Sequence, residues 1–217
     1  MTEVVIMAGG RGLRMHGLTA DRQKAMLEVG GRPMLESLVM RCAAQGFKQI
    51  TMCVGYRADQ VRAHFEDGDA WGCRVNYLQE DSPSGTAGAL RRLRHFTTPV
   101  IVHNADVVAD IDLAGLMAWH ADHGAQATAV LARAEYQVPY GVAQVTGDRL
   151  LRVAEKPVMS WPVLAGVYVL EPSALALVTT PMDMPDLLDL VTIGAYPHAG
   201  DWRDVGTLAS LAAANGG

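Results

Sequence analysis

Cysteine is scarce in this chain, with three residues in 217. Cys42, Cys53 and Cys73 are too few and too scattered for a disulfide framework or a zinc site, so we expect them to pack as small, buried apolar residues. A hydrophobic run of membrane-spanning length is missing too, and the N-terminus lacks the basic-then-apolar pattern of a signal peptide. These absences predict a soluble, cytoplasmic protein that does not bind a membrane.

Positive charge is also in short supply, because 18 Lys and Arg face 23 Asp and Glu, for a net charge of −5. This balance argues against nucleic acid as the main partner, but it allows a small anionic ligand in a local basic pocket. Half of the residues are hydrophobic and 19% are charged, which is typical of a globular chain. The length suits one sizeable α/β domain.

Apolar runs alternate with helical periodicity through the first 125 residues. The short connections between them predict a mostly parallel sheet with helices on both faces. The predicted strands are residues 4–7, 49–54, 75–78 and 99–106, and the predicted helices are residues 33–45, 58–65, 86–93 and one marked by Leu113, Leu116, Met117 and His120.

After about residue 126 the pattern changes to strand-like segments separated by turn signals. The predicted strands there are "QATAVLAR", "YGVAQV", "RLLRVAE" and "LAGVYVLE", and short helices are expected near residues 172–177 and 185–190. We interpret residues 1–217 as one domain, in which residues 1–125 form a nucleotide-binding core and residues 126–217 a substrate-binding extension folded onto it.

The segment after the first strand, "AGGRGLRMHGLTADRQKAML", concentrates glycine and basic residues. Gly9, Gly10 and Gly12 would let backbone N–H groups approach a phosphate closely. Arg14 and Lys24 would add positive charge beside them. The segment lies beyond the carboxyl end of a strand, where open α/β sheets bind ligands. Its spacing fits neither a P-loop nor a dinucleotide fingerprint, so two interpretations stay open: a phosphate-holding loop and a plain flexible turn.

Two aspartates elsewhere in the chain are candidate ligands for a metal ion. Asp106 ends the buried "PVIVHNAD" strand, where a carboxylate is costly unless it is solvated, paired or bound to a metal. Asp204 lies in "DWRDVG". Two carboxylates near a triphosphate suit Mg²⁺, whereas each alone could be a helix cap or a turn former. Asp110 and Asp112 are expected to cap the helix that follows them.

Two further segments carry polar groups at the ends of elements. In "EKP", Glu155 can accept hydrogen bonds from sugar hydroxyls and Lys156 can hold a sugar phosphate, with a charged strand end as the alternative. In "PSGTAGAL" a glycine turn enters a helix, so its N–H groups can meet a base or a phosphate.

Taken together and in order, these motifs resemble those of the sugar-1-phosphate nucleotidyltransferases, which make nucleotide sugars. The matching segments span nearly the whole chain and are "AGGRGLR", "QKAML", "GGRPMLE", "VGYRADQV", "SGTAGAL", "HNAD", "YGVAQV", "EKP", "AGVYVL" and "DWRDVG". The resemblance implies a Rossmann-like nucleotidyltransferase fold, with a mixed, mostly parallel sheet flanked by helices and a β-rich substrate-binding extension. It also implies the reaction of an NTP with a sugar 1-phosphate to give an NDP-sugar and pyrophosphate.

The same resemblance implies roles for the charged residues. Arg14 would neutralise the pyrophosphate leaving group, while Lys24 and Lys156 would position phosphates. Asp106 and Asp204 would hold Mg²⁺. No protein nucleophile is required, because the ionised sugar phosphate attacks the α-phosphorus in line. Catalysis would therefore consist of positioning and charge neutralisation.

Binding of the two substrates would fall to the two halves of the chain. On the sugar side, Glu155 would hold hydroxyls and the backbone around Tyr140 and Gly141 would line the site. Relatives are often dimers or tetramers, but the sequence shows no contiguous signature of a homo-oligomer interface. The residues implied to bind the nucleotide are Ala8, Gly9, Gly10, Gly12, Glu80, Gly85 and Thr86.

Several positions depart from the family pattern. The family usually has Thr where Leu13 stands, and Pro on both sides of the lysine where Gln23 and Ala25 stand. Because proline restricts the chain, the loop is expected to be more mobile here. Ala105 replaces the usual Gly before Asp106, and Leu164 replaces an Asn that commonly contacts the sugar, which suggests an unusual acceptor.

The choice of base and sugar rests on fewer residues. "SGTAGAL" is most similar to the mannose-1-phosphate guanylyltransferase branch, and Glu80 stands where a base-reading side chain is expected. A carboxylate can accept from both N1–H and N2–H₂ of guanine, which favours GTP; the alternative is that Glu80 is a solvated loop residue. Mannose 1-phosphate is the family default, and heptose, octose or cyclitol 1-phosphates remain open.

Two other functions compete with this hypothesis. One is a cytidylyl-, uridylyl- or thymidylyltransferase that acts on another sugar or alcohol phosphate. The other is a non-catalytic, nucleotide-binding homologue. Retention of Arg14, Lys24, Asp106, Lys156 and Asp204 argues against the second, because drift would be expected to damage charged site residues.

Overall fold

The computed structural model describes residues 2–216. Strands and helices alternate along most of this length, with 3₁₀ segments at Leu13–Thr19, Lys24–Met26, Asp69–Trp71 and Gly88–Leu93. The strands are β1 (Glu3–Ala8), β2 (Glu28–Val29), β3 (Arg32–Pro33), β4 (Gln49–Val54), β5 (Arg74–Gln79), β6 (Val100–Asn104), β7 (Val107–Ala109), β8 (Ala127–Gln137), β9 (Val142–Thr146), β10 (Arg149–Ala154), β11 (Val158–Leu170), β12 (Ile193–Pro197) and β13 (Trp202–Asp204). The helices are α1 (Met34–Ala44), α2 (Ala58–Phe65), α3 (Leu113–His123), α4 (Pro172–Leu175), α5 (Met184–Leu188) and α6 (Leu208–Ala214).

A seven-stranded sheet in the order β12-β8-β11-β6-β1-β4-β5 organises the chain. The pairs β6-β1, β1-β4, β4-β5 and β12-β8 are parallel, and β11 runs antiparallel to both β6 and β8. The expectation of a mixed, mostly parallel sheet is therefore confirmed. Three two-stranded pairs accompany it: β9-β10, β7-β13 and β2-β3.

Each face of the large sheet has its own apolar core. Along β1, Val4 and Ile6 pack into the core that holds α1, α2 and α3, whereas Val5 packs into the core that holds α4 and α5. This alternation follows from the two-residue period of a strand, and it explains why β1 is apolar throughout. The prediction of helices on both faces is confirmed, and the three cysteines are buried in these cores as expected.

The central elements begin and end close to the predicted residues. The bounds of β4 and α2 coincide with the predicted ones. Helix α1 begins one residue later than expected, because Pro33 pairs with Glu28 in the β2-β3 ladder and occupies the N-cap position just before the helix. Asp112 caps α3 as expected, since its Oδ1 accepts from the N–H of Gly115 at 2.9 Å.

Two predicted elements are wrong in type or length. The helix expected over residues 86–93 is a 3₁₀ segment that begins at Gly88. A Cβ at Gly88 would lie 2.5 Å from Ser84 Oγ, so the chain is tightly folded where this segment begins. The strand expected to end at Asp106 ends at Asn104, because a turn over residues 105–106 redirects the chain into β7 to pair with β13.

The second half extends the sheet and then leaves it. Strands β8 and β11 pair far beyond the sheet and continue into the separate β9-β10 hairpin. Among the described residues, no helix combines the length and apolarity that crossing a membrane requires.

Candidate active site

A cavity of about 600 Å³ opens at the carboxyl ends of β1 and β6. The glycine-rich loop forms one wall, residues 80–86 form another, and the β6-β7 turn forms the floor. Ten of the fifteen predicted site residues line it: Ala8, Gly9, Gly10, Gly12, Arg14, Lys24, Glu80, Gly85, Thr86 and Asp106. The fold therefore brings together residues that lie up to about a hundred positions apart in the sequence.

Lys24 and Asp106 form an ion pair across the floor of this cavity. Lys24 Nζ lies 2.5 Å from Asp106 Oδ2, and both side chains are largely shielded from solvent. Gly12 adopts a φ of 63°, and a Cβ there would lie 3.0 Å from Lys24 Cβ. The glycine is needed for its positive φ and for this close contact with the lysine stem.

Gln23 fixes the backbone that carries Lys24, a role that was not predicted for its side chain. The side chain is buried, with its Nε2 donating to the carbonyl of Ala8 at 2.5 Å and its Oε1 accepting from the N–H of Ala25. Its own N–H donates to Gln60 Oε1 at 2.8 Å. A position where the family usually has proline thus holds the loop with hydrogen bonds. The only signal in the sequence was the substitution itself.

Asp204 stands beside Asp106 through the β7-β13 pair. Asp204 is opposite Val107 in this ladder, and the N–H of Val205 donates to the carbonyl of Asp106 at 2.9 Å. Desolvation raises the pKa of the Asp204 carboxyl, and the charge of Asp106 raises it further, whereas Lys24 and Arg14 oppose the shift. The two carboxylates are thus close enough to repel each other.

Gly206 is the point where Asp204 and Arg14 converge. A Cβ at Gly206 would lie 2.6 Å from Asp204 Oδ1 and 3.0 Å from Arg14 Nη2. Because glycine leaves this space open, a guanidinium and a carboxylate approach the same backbone atom next to the cavity. Gly206 itself lines the cavity, and the motif "DWRDVG" was the signal for it.

Glu80 is half-buried against the glycine-rich loop and is therefore not a freely solvated loop residue. Its Oε2 lies 2.7 Å from the place where a Cβ of Gly9 would be, so only glycine admits the carboxylate here. The hydroxyl of Ser84 donates to Glu80 Oε1. Ser84 thus holds one carboxylate oxygen of Glu80, and Glu80 lines the cavity.

Thr86 has less freedom to contact a ligand than its position in a glycine turn suggested. Its N–H donates to Asp183 Oδ1 at 2.8 Å, and its hydroxyl accepts from the N–H of Met184 at 2.7 Å. Gly85 packs so closely on the carbonyl of Met182 that a Cβ would lie 2.3 Å from it. Asp183, which the sequence analysis did not single out, also lines the cavity.

The four residues implied for the sugar side lie together, but outside this cavity. The N–H of Lys156 donates to the carbonyl of Tyr140 at 3.2 Å, and Glu155 Oε2 lies 3.2 Å from the Cβ position of Gly141. All four are exposed, and Lys156 adopts the left-handed φ of 44° that is unusual for a residue other than glycine. The structure therefore contains two groups of predicted site residues.

A metal ion at this site would have to be held mainly by Asp106 and Asp204. Among the side chains that the structure describes, no cluster of three or more His, Cys, Asp or Glu is arranged to hold a metal ion. Two adjacent, mutually repelling carboxylates suit a hard divalent cation that takes its remaining oxygens from water and substrate phosphates. The residues present fit such an ion.

Comparison with known proteins matches the chain to one family. The nucleotidyl transferase family matches residues 3–216. Mannose-1-phosphate guanylyltransferase from Mycobacterium tuberculosis is 32% identical over 94% of this chain and 61% of its own length, and mannose-1-phosphate guanyltransferase from Pichia angusta is 31% identical over 93% of this chain and 60% of its own. The chain thus spans about 60% of the length of these curated relatives.

Solved structures show the same fold. A Bacillus anthracis protein described as a glucose-1-phosphate thymidylyltransferase superposes with a TM-score of 0.81 at 22% identity, over all of this chain and 94% of that one. HddC from Yersinia pseudotuberculosis, in complex with GMP-PN, gives 0.77 at 21% identity, over all of this chain and 99% of that one. The expected Rossmann-like nucleotidyltransferase fold is confirmed.

Proposed function

Because the chain belongs to the nucleotidyl transferase family, we propose that it transfers a nucleoside monophosphate from an NTP to a sugar 1-phosphate and releases pyrophosphate. One observation carries this proposal: the glycine-rich loop, Arg14, Lys24 and Asp106 line a single cavity at the carboxyl end of the sheet. That is the place and the charge pattern that a triphosphate requires. The names of the curated relatives, which are guanylyltransferases acting on mannose 1-phosphate, support it.

The chemistry proposed for this site is positioning and charge neutralisation. Backbone N–H groups of the glycine-rich loop would hold the β- and γ-phosphates, and Arg14 would neutralise charge on the departing pyrophosphate. Lys24 would stand at the α-phosphate, because its ion pair with Asp106 already places its ammonium on the cavity floor. The sugar phosphate is ionised at neutral pH, so it can attack in line without a protein base.

We assign the implied Mg²⁺ to Asp106 and Asp204. When bound, the ion would add positive charge beside the phosphates. The repulsion between the two carboxylates supports this assignment, because it leaves a site whose free energy falls when a cation enters. Arg14 and Lys24, which already oppose the raised pKa of Asp204, would keep the site partly neutralised without the ion.

GTP is the proposed nucleotide, with Glu80 as the residue that reads the base. Its carboxylate faces the cavity beside Gly9, and Ser84 orients it. Guanine presents two adjacent donors, N1–H and N2–H₂, to such an acceptor, whereas uracil and thymine present one N–H on that edge.

The sugar 1-phosphate is proposed to bind between this cavity and the group formed by Tyr140, Gly141, Glu155 and Lys156. Mannose 1-phosphate is the first candidate because the curated relatives act on it. Residues 1–125 would then serve mainly the nucleotide and residues 126–217 the sugar phosphate. Asp183 and Asp204, which come from the second half, stand beside Thr86 and Asp106 and so join the two.

The test of base choice is pyrophosphate release with GTP, ATP, CTP, UTP and dTTP, each with mannose 1-phosphate and Mg²⁺. We expect a preference for GTP that is lost in Glu80→Gln, because the amide cannot accept from both guanine donors at once. Ser84→Ala is the matched control, since it removes only the group that orients the carboxylate and should weaken the preference less. A clear preference of the wild type for UTP or dTTP would overturn the GTP assignment. No release with any NTP and any sugar 1-phosphate would favour a non-catalytic nucleotide-binding protein.

A further inference from the structure

One wall of the nucleotide cavity, residues 84–87, packs against residues 182–184 from the other half of the chain. The main chain of Met182 pairs with this wall twice. Its N–H donates to the carbonyl of Ser84 at 2.9 Å, and its carbonyl accepts from the N–H of Ala87 at 3.0 Å. The position of the wall therefore depends on a segment outside the half of the chain that forms most of the cavity.

Side chains add three hydrogen bonds to this junction. Asp183 Oδ1 accepts from the N–H of Thr86 at 2.8 Å and from the hydroxyl of Thr86 at 3.2 Å, although the two residues are 97 positions apart. The same hydroxyl accepts from the N–H of Met184 at 2.7 Å, so it acts as both donor and acceptor. Because hydrogen bonds to a carboxylate are stronger than those between neutral groups, Asp183 makes the strongest contacts of the junction.

Tight packing leaves this wall little freedom to move independently of residues 182–184. Gly85 adopts a φ of 88°, and a Cβ there would collide with the carbonyl of Met182 and lie 3.0 Å from Asp183 Oδ1. On the other side, a Cβ at Gly88 would lie 2.5 Å from the hydroxyl of the buried Ser84. A change in the junction must therefore move Gly85 and Ser84 together.

The wall is connected in turn to Glu80, the residue proposed to read the base. The hydroxyl of Ser84 donates to Glu80 Oε1, so the orientation of this carboxylate follows the position of Ser84. Asp183 also lines the cavity, but its Oδ1 is already engaged by Thr86. Asp183 is thus placed to act on the base through the wall and through Glu80.

We propose that Asp183 is a positioning residue that sets the base preference of the site, because it fixes residues 84–87 and these residues fix Glu80. The inference rests on the proposed function, in which Glu80 reads the base. The phosphate end of the cavity depends on different contacts, such as the ion pair of Lys24 and Asp106. Loss of the Asp183 carboxylate should therefore weaken the discrimination between bases and leave the hold on the phosphates unchanged.

The test is calorimetric binding of GTP, CTP, UTP and dTTP, each with Mg²⁺, to the wild type, Asp183→Ala and Asp183→Asn. The base preference is the ratio of the Kd of the most weakly bound NTP to the Kd of the most tightly bound one. We expect this ratio to fall by about 10-fold in Asp183→Ala, as for the loss of hydrogen bonds to a charged group. Asp183→Asn should keep most of the preference, because its amide oxygen can still accept from the N–H and the hydroxyl of Thr86. The Kd of inorganic tripolyphosphate should be the same for all three proteins.

Asp186→Ala is the matched control, and circular dichroism shows whether each variant is folded. Asp186 lies three residues further on, in α5, where its carboxylate accepts from the N–H of Asp183 at 3.4 Å, so its removal leaves the bonds to Thr86 in place and should keep the base preference. Thr86→Val removes the hydroxyl at nearly constant shape and should lower the preference, which keeps the test valid if Asp183→Ala does not fold. Combining the two changes should add little to the loss from Asp183→Ala, because both break the same contact.

The outcomes separate this proposal from the proposed function. A wild type that binds all four NTPs equally overturns the proposal, and so does Asp183→Ala with the preference of the wild type. An equal loss in Asp183→Asn and Asp183→Ala, or a matching loss of affinity for tripolyphosphate, overturns it as well, since neither fits a contact that positions the wall. If the preference falls as expected but no NTP and sugar 1-phosphate pair yields pyrophosphate, the proposed function fails while the role of Asp183 stands.

Discussion

Replacement of Gln23 by glutamate tests whether the hydrogen bonds of this side chain hold Lys24 in place. The two side chains have nearly the same shape, so Gln23→Glu leaves the packing intact. The change exchanges the N–H₂ that donates to the carbonyl of Ala8 for an oxygen at the same distance, while the acceptor for the N–H of Ala25 is kept. Two acceptors then face each other in a buried position.

The size of the effect follows from the cost of an unpaired buried group. Leaving a buried acceptor unpaired costs about 1–3 kcal/mol, more if the introduced carboxyl is ionised. The loop can relieve this cost by moving Lys24 away from Asp106, and each 1.4 kcal/mol lost at the transition state is a factor of about ten in rate. We therefore expect kcat/KM to fall by about 10–100-fold. The loss should shrink as the pH falls, because the protonated carboxyl can donate to Ala8 as the amide does.

The assay is steady-state pyrophosphate release by the wild type, Gln23→Glu and the control Gln23→Pro. The control carries the residue usual in the family, and Gln23 already has the φ of −65° that proline requires. Proline gives up the N–H bond to Gln60 and both side-chain bonds, to the carbonyl of Ala8 and from the N–H of Ala25. It restricts the chain, however, and places no second acceptor opposite Ala8, so we expect this variant to retain more activity than Gln23→Glu. Full activity of Gln23→Glu at neutral pH, or a loss that does not depend on pH, would show that the hydrogen bonds of Gln23 do not hold Lys24 in place.

Three further predictions concern stability and geometry. Burial lowers the pKa of His103 from 6.5 to about 4, so the neutral imidazole stabilises the fold fully above pH 6.5, and this stability is lost as the pH falls to 4. Urea titrations should show a loss of about 3 kcal/mol in the free energy of unfolding over this range, and His103→Phe should not show this loss. Because the pKa of Asp204 is raised, Asp204→Asn should increase the melting temperature at pH 7 and abolish its rise with added Mg²⁺. The stabilisation should vanish below the pKa of Asp204 in the unfolded chain, where the carboxyl is protonated in both the folded and the unfolded state, and a lower melting temperature of the variant at pH 7 would contradict the prediction. Gly206→Ala should reduce kcat by about 100-fold with little change in unfolding free energy, since its Cβ displaces Asp204 and Arg14; unchanged kcat would show that their convergence does not matter.

The strands and helices were predicted most accurately where the burial pattern of side chains alone determines the type of element. The apolar runs of β1 and β4 and the spacing along α2 sufficed, because burial on both faces or on one face fixes the pattern. The prediction failed at residues 86–93, because the tight contact of Gly85 with Met182 is tertiary and leaves no trace in local periodicity.

The candidate site was predicted in its charged residues but not in the contacts that orient them. Arg14, Lys24 and Asp106 were predicted because charged residues in a glycine-rich loop and at the end of an apolar strand are conspicuous in a sequence. Gln23 and Asp183 were missed because a glutamine in place of proline, or an aspartate before a short helix, gains its meaning only from partners distant in sequence.

Nucleotidyl transfer itself is tested by mass-spectrometric and phosphorus NMR analysis of GTP incubated with mannose 1-phosphate, Mg²⁺ and either the wild type or Arg14→Ala. We expect one GDP-sugar for each pyrophosphate with the wild type, and a rate lower by a factor of about 10² or more with Arg14→Ala, as for the loss of one preorganised electrostatic contact. Arg11→Ala, which alters a neighbouring cation of the same loop, is the matched control. Near-normal turnover by Arg14→Ala would contradict the role of Arg14, and nucleotide binding by the wild type without any product from any sugar 1-phosphate would contradict nucleotidyl transfer.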